Sequence, residues 1–435
     1  MASFGSSAYI DATSGSVNHC HDMSKLFPNL SEQYYDKIAT YCQQKLWHQL
    51  TLLILDDFMN HTNIATTLKP LQDPTQKNTF LAMYINVVQA VQNKLNPLAL
   101  SQIASRVAFV SLEPILLGSN KVSEDDWNHS KSVLDDALKK VESKSVAAKL
   151  YLESQLALLL LQKYPKQPLT KEQLDSIKST MKQNEGILNQ LMPDTPESTT
   201  VHSSYYEMSM TYYKLVGPPE MFYDQAMLYL NYYNKADPND KEAVEKQHLL
   251  AVDLCLAAIT GQGVYNLGQL VTNPLVGCLQ GTPEAWLTEL LQSISAGNVT
   301  DYKNLVNIKY KAQIEAQPTL VHRQQAITEK MTLLSLVQLV FERPSSERTL
   351  SYDEIATRLQ IAIDQVEWVI MRAFSEKLLE GSMDQVDGTV TITWVLPRML
   401  DNAQLSSLSN RFGEWAVKVS NIKDYMKEQQ PSLTT

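Results

Sequence analysis

The sequence predicts a mainly α-helical fold in three successive parts: a solenoid of helix pairs, a winged helix with a small β-hairpin, and a long C-terminal helix. Three observations predict it. From Ser31 onward apolar residues recur at helical spacing, in segments separated by proline-marked breaks. The one convincing β signal comes late, where Asp387-Gly388 separates Gly381–Val386 from Thr389–Val395. Past it, apolar residues step by alternating threes and fours from Leu405 to Met426.

Ala2 to Ser24 is rich in Ser and Gly, follows neither a helical nor a strand period, and reads as a flexible leader. Helices follow. Leu134, Ala137, Leu138 and Val141 obey the i, i+3, i+4, i+7 rule that gathers apolar groups on one face. Val146 to Leu161 is apolar nearly all round, so neighbours should cover it on most sides, as they cover an inner helix of a stacked array. Breaks fall at Pro165 and Pro168, Pro193 and Pro196, Pro218-Pro219, and Pro238. Start signals recur along the chain: Thr170 to Gln173 and Ser351 to Glu354 read as capping boxes, and Thr282-Pro283 as an N-cap with a first-turn proline. No tetratricopeptide consensus aligns at a fixed period, so the repeats are degenerate.

The winged helix is built from a short helix at Tyr352–Leu359, a longer one at about Asp364–Leu379 with Val366, Val369, Ile370 and Ala373 on its inner face, and the hairpin. The expected layout is 1–30 leader, 31–215 helical repeats, 216–400 a second domain with the winged helix at about 325–398, and 401–435 C-terminal helix and tail.

Composition excludes several functions. The chain has 435 residues, 44% of them hydrophobic, enough for two or three cores. A formal net charge of −10 opposes a surface that condenses onto phosphate or acidic membranes. The second helix of the winged helix sharpens this: Asp364, Glu367, Glu376 and Glu380 outnumber Arg372 and Lys377, and a helix of that sign is repelled by the walls of a DNA groove. Neither nucleic acid nor membrane is an expected partner. The four cysteines, Cys20, Cys42, Cys255 and Cys278, form no C-x-x-C pair, and the longest purely apolar run is Leu156–Leu161, far too short to span a membrane.

Catalytic chemistry finds no foothold. Gly261-Gln262-Gly263 with Gly268 lacks the third glycine of a dinucleotide loop, since Asn266 stands there, and reads as a turn between helices. His19-Cys20-His21 has no second cluster of metal ligands beside it. The pairs Asp56-Asp57, Asp125-Asp126 and Asp135-Asp136 diverge by about 100° on a helix and read as solvated faces. Tyr205, Tyr206, Tyr212, Tyr213, Tyr223, Tyr229, Tyr232 and Tyr233 lack interleaved bases and read as packing. No catalytic residue, cofactor or metal is expected.

The stretch Ala257–Leu270, followed by Trp286-Leu287, Leu290-Leu291 and Ala296–Val299, resembles the helical half of a PCI domain. Leu267 stands where such domains often carry Phe and keeps an apolar packing position. Lys45–Thr51, Val201–Ser203, Gly381–Asp387, Thr393–Val395 and Pro397-Arg398 are similar to the PCI-domain subunits of the proteasome lid, and the likeness runs from about Ser31 to the C-terminus. This resemblance implies a right-handed helical-pair (TPR/HAT-like) solenoid ahead of a PCI winged helix. It also implies a non-catalytic scaffold of the regulatory-particle lid, in cytoplasm and nucleus, that supports degradation of ubiquitinated proteins. Implied partners are other lid subunits with PCI domains, the lid deubiquitinase heterodimer through a helix bundle, and a ubiquitin-receptor subunit near the helical arm. PCI subunits of the signalosome or of initiation factor three, and a winged-helix nucleic-acid binder, are the alternatives.

Two surfaces are candidate interfaces. Leu405, Leu408, Phe412, Trp415, Val419, Ile422 and Met426 form an uninterrupted seam after a cap at Asp401, with Pro397 separating the helix from the wing. An unpaired edge is expected along Thr389, Val390, Thr391, Ile392 and Thr393, and a neighbouring winged helix could add its own strand at that edge or at one beside it.

Overall fold

The structure, a computed structural model, describes residues 16–18, 20, 34–60, 83–110, 112, 124–162, 170–191, 196–232, 241–343, 348–397 and 402–429. The chain divides into two compact units, Met1–Val216 with Gln225–Tyr233, and Gly217–Asp224 with Asn234–Thr435.

The first unit holds α1 (Tyr34–Gln44), α2 (Trp47–Asn60), α3 (Pro97–Val110), α4 (Glu124–Val141), α5 (Val146–Gln162), α6 (Lys171–Leu188) and α7 (Pro196–Val216). As its apolar circumference requires, α5 packs against α3, α4, α6 and α7, with Leu150, Leu152, Leu158, Leu159 and Leu161 buried. Leu134, Ala137 and Val141 line the inner face of α4, and Leu138 is half-buried. A polar thread crosses this interior. Ser105 donates to Gln155 Oε1 at 3.0 Å, and Gln155 Nε2 donates to Ser204 Oγ at 2.7 Å, tying α3, α5 and α7 together without an unpaired group on the glutamine. Thr170 starts α6 with the full capping box: its hydroxyl accepts from Gln173 N and its own N–H donates to Gln173 Oε1 at 3.1 Å.

The tyrosines are packing groups. Tyr205, Tyr212, Tyr223 and Tyr229 are buried, Tyr206 and His202 both stack on Tyr232, and Tyr205 donates to Met181 O at 3.1 Å. Tyr233 lies outside the described residues, as do Pro165, Pro168, Pro193 and Pro238. Within the span read as a flexible leader, Ser16–Asn18 and Cys20 are helical. Ser16 donates to Asn86 O at 2.9 Å and Cys20 is wholly buried, so for these residues the expectation is corrected. Val17 and Cys20, three apart, supply just enough apolar surface to pack. The remaining leader residues, His19 and His21 among them, lie outside the described residues.

Helix α8 (Pro219–Tyr232) opens on the second of two prolines, and its residues are divided between the units. The second unit continues with α9 (Lys241–Thr260), α10 (Ala285–Ala296), α11 (Val299–Asn304) and α12 (Gln324–Glu342). Gly261–Gly263 forms the turn that ends α9, not a phosphate loop, and Leu267 is buried. The N-cap expected at Thr282 is corrected: α10 begins at Ala285, and the Thr282 hydroxyl donates to Leu279 O at 2.8 Å, back into the preceding turn.

The winged helix comprises β1 (Thr349–Ser351), α13 (Tyr352–Leu359), α14 (Ile363–Ser375), β2 (Leu379–Asp384) and β3 (Thr389–Val395). Its core joins Ile355 and Leu359 of α13, Val366, Val369, Ile370 and Ala373 of α14, and Leu350, Leu379, Val390 and Ile392 of the sheet to Leu336 and Val340 of α12. The second helix stops four residues before the expected Leu379. Lys377 turns to a φ of 56°, Leu378 N donates to Ala373 O at 2.9 Å, and the chain reverses into β2. Ser351 caps α13 through Glu354 N, but the box is only half made, because the Glu354 carboxylate is drawn to Arg343 instead.

The strand order is β1-β3-β2, all antiparallel. Asp384 closes the hairpin by accepting from Val386 N and Asp387 N, and Gly388 takes the positive φ of 59° that the Asp-Gly signal anticipated, within a four-residue loop. A bulge at Glu380/Gly381 brings β2 so close to its neighbour that a Cβ on Gly381 would lie 2.2 Å from Thr391 O.

Candidate assembly surfaces

Helix α15 (Asn402–Gln429) runs 28 residues and carries the predicted seam. Its N-terminal Asp401 lies outside the described residues. From Leu405 to Met426 every seam residue is open to solvent, from 38% exposed at Leu408 to 65% at Trp415. Val417 and Tyr425 are exposed as well. Apolar groups of this size at helical spacing place the helix's burying face outward, away from its own unit's core.

The strand edge falls elsewhere than the sequence suggested. Thr389–Thr393 is the middle of the sheet: Thr391 pairs with Thr349 on one side and Ser382 on the other, and Ile392 N donates to Arg348 O at 3.0 Å. Val390 and Ile392 point into the core. The edge reading is therefore corrected, because the short strand β1, which carries no β signal of its own, satisfies the backbone groups left over from the hairpin. Among the described residues, the outer edges belong to β1 and β2, each of which pairs with β3 alone.

On α14 the one base, Arg372, lies against an aromatic ring and an acid rather than being offered to phosphate. Arg372 lies 5.9 Å from the Trp368 ring and 3.7 Å from Glu376, while Asp364 and Glu380 stay exposed. The helix is acidic where a DNA-reading helix is basic.

Burial pushes the Cys42 thiol up to about 11 and those of Cys20 and Cys255 up to about 12, which suppresses the nucleophilic thiolate at neutral pH. Among the described residues, no cluster of three His, Cys, Asp or Glu side chains could hold a metal, and no helix is long and apolar enough to cross a membrane. One buried ionisable group escaped sequence reasoning. Lys330 on α12 donates to Ala258 O at 2.5 Å and Gly261 O at 3.1 Å, closing the C-terminal turn of α9, where Arg323 also donates to Thr260 O. Burial pushes the Lys330 ammonium down to about 7, partly opposed by the Glu220 carboxylate. Its only sequence signal is a lone lysine between the apolar Ile327 and Met331.

Comparison with known proteins assigns these parts. Residues 34–291 match the family described as PSD13 N-terminal repeats, and residues 302–394 match the PCI domain. The 26S proteasome non-ATPase regulatory subunit 13 of Dictyostelium discoideum is 30% identical over 94% of this chain and 95% of its own length. Homolog A of the same subunit in Arabidopsis thaliana is 30% identical over 96% of this chain and 98% of its own. By contrast, an initiation factor three subunit M from Nematostella vectensis is 25% identical over only 41% of this chain. With more than half its length in the repeat family and nearly all of it aligned to full-length relatives, the chain belongs to the family of the 26S proteasome non-ATPase regulatory subunit 13.

Proposed function

We propose that this chain is a non-catalytic scaffold subunit of the proteasome regulatory-particle lid, supporting lid assembly and thereby the ATP-dependent degradation of ubiquitinated proteins in cytoplasm and nucleus. The observation that carries it is the exposed seam of α15, which follows directly on the winged helix of a PCI domain. A solvent-facing row of Leu, Phe, Trp, Val, Ile and Met gains stability only when other helices cover it, and Phe412 with Trp415 suits a multi-helix core better than a two-stranded one. The lid deubiquitinase heterodimer is the partner proposed for this bundle, and a ubiquitin-receptor subunit the partner of the helical arm. Lateral contact with neighbouring PCI subunits is assigned to the outer edges of β1 and β2 in place of Thr389–Thr393. Catalysis is assigned to other subunits.

Two variants test this reading: deletion of residues 401–435, and L408A/W415A/I422A. Each is measured for thermal unfolding of the free chain and for incorporation into lid assembled from co-expressed subunits. Lost incorporation with an unchanged unfolding midpoint is expected; normal incorporation overturns the reading. Cleavage of a ubiquitin conjugate by the pure chain in the presence of a chelator would overturn its non-catalytic part.

A further inference from the structure

Charges around the seam of α15 are sorted by position. With Leu405, Phe412, Val419 and Met426 at one set of core positions and Leu408, Trp415 and Ile422 at the other, the bordering positions include Arg411, Lys418 and Lys423, all basic and all exposed. No acid borders the seam. Glu414 and Asp424 occupy positions turned away from it. Among the described residues, none of the three bases is engaged in an ion pair, so their charge is available to whatever covers the seam.

We infer that α15 selects helices whose own seams are bordered by acidic residues. The inference rests on the bundle reading above and adds to it the chemistry of the partner. Flanking charges decide which helices share a seam, because like charges meet across it in the wrong pairing and opposite charges in the right one. A second copy of this chain is disfavoured in either orientation. In a parallel pair Lys418 meets Lys423 of the other copy, and in an antiparallel pair the basic flanks meet each other. The local sign also opposes the global one. The whole chain carries −10, so non-specific attraction favours a basic partner, whereas the flanks of α15 favour an acidic one.

That opposition makes the test decisive. The full chain is titrated by fluorescence anisotropy with two labelled synthetic helices that share one leucine seam, one bordered by Glu and the other by Lys. At about 0.1 M salt the Glu-bordered helix is expected to bind roughly tenfold tighter or more, with the preference vanishing near 1 M, where the Debye length falls to about 3 Å. The variant R411E/K418E/K423E, which keeps all seven seam residues, is expected to reverse the preference. Equal affinities, or tighter binding of the Lys-bordered helix, overturn the inference; the bundle reading then stands if L408A/W415A/I422A loses both peptides. Undiminished binding by that seam variant, or binding of neither peptide by the unmodified chain, overturns both. A stable homodimer of the full chain that the seam variant abolishes also overturns the inference, by making a second copy the occupant.

Discussion

Helices α5 and α15 are both rich in large apolar residues, yet one is the centre of a core and the other lies open to water. In α5 the apolar groups surround the axis, and four neighbouring helices cover them. In α15 seven of them form one stripe, with Val417 and Tyr425 outside it, and the stripe is bare. The difference teaches that apolar content does not distinguish core from interface, whereas its angular distribution does. A helix apolar all round must be enclosed by its own domain to exist, while a striped helix can stand in water until a partner arrives.

The comparison breaks or holds on how each helix responds to truncation. Leu152→Ala in α5 removes a wholly buried side chain and is expected to destabilise the free chain by about 2–5 kcal/mol, read by denaturant unfolding. A loss well under 1 kcal/mol would mean that α5 is not the enclosed helix it resembles. Gly381→Ala extends the comparison to the sheet. A Cβ there collides with the Thr391 carbonyl, so a loss of about 1–3 kcal/mol is expected, with the winged helix unfolding first in hydrogen exchange.

Helix α12 is an intermediate case, a mainly buried helix with one ionisable group inside. The folded state holds the Lys330 ammonium at about 7, below its ordinary value of 10.5, so between about pH 7 and 10 the unfolded chain binds a proton that the folded chain does not. Stability therefore rises with pH across that window, with a slope of at most about 1.4 kcal/mol per pH unit from this group. Lys330→Met should flatten that slope. An identical slope in the variant would show that the ammonium is not excluded from the folded interior. The smallest effect belongs to α15: L408A/W415A/I422A should change the free chain's unfolding free energy by no more than about 0.5 kcal/mol, as for exposed sites. A loss comparable to that of Leu152→Ala would erase the contrast between the two helices.

Much of this architecture is legible in the residues because it depends on near neighbours. The i, i+3, i+7 spacing of Leu134, Ala137 and Val141, the reciprocal bonds of Thr170 and Gln173, and the positive φ of Gly388 are all settled within a few residues of chain. The seam of α15 is legible for the same reason, since its stripe is a property of one helix. The true edges of the sheet were not, because Thr349–Ser351 is three residues long and becomes a strand only where β3 offers it bonding groups.

By itself, the sequence determined the order of helices, the hairpin, the seam and the basic flanks of Arg411, Lys418 and Lys423, because periodicity, caps and turn chemistry act locally. Tertiary structure alone decided three things: that Thr389–Thr393 is a central strand, that Glu354 leaves its capping box for Arg343, and that Lys330 is buried against the end of α9. Each depends on which distant groups the fold brings within bonding distance, and a buried donor or acceptor without a partner costs more than any local preference can repay.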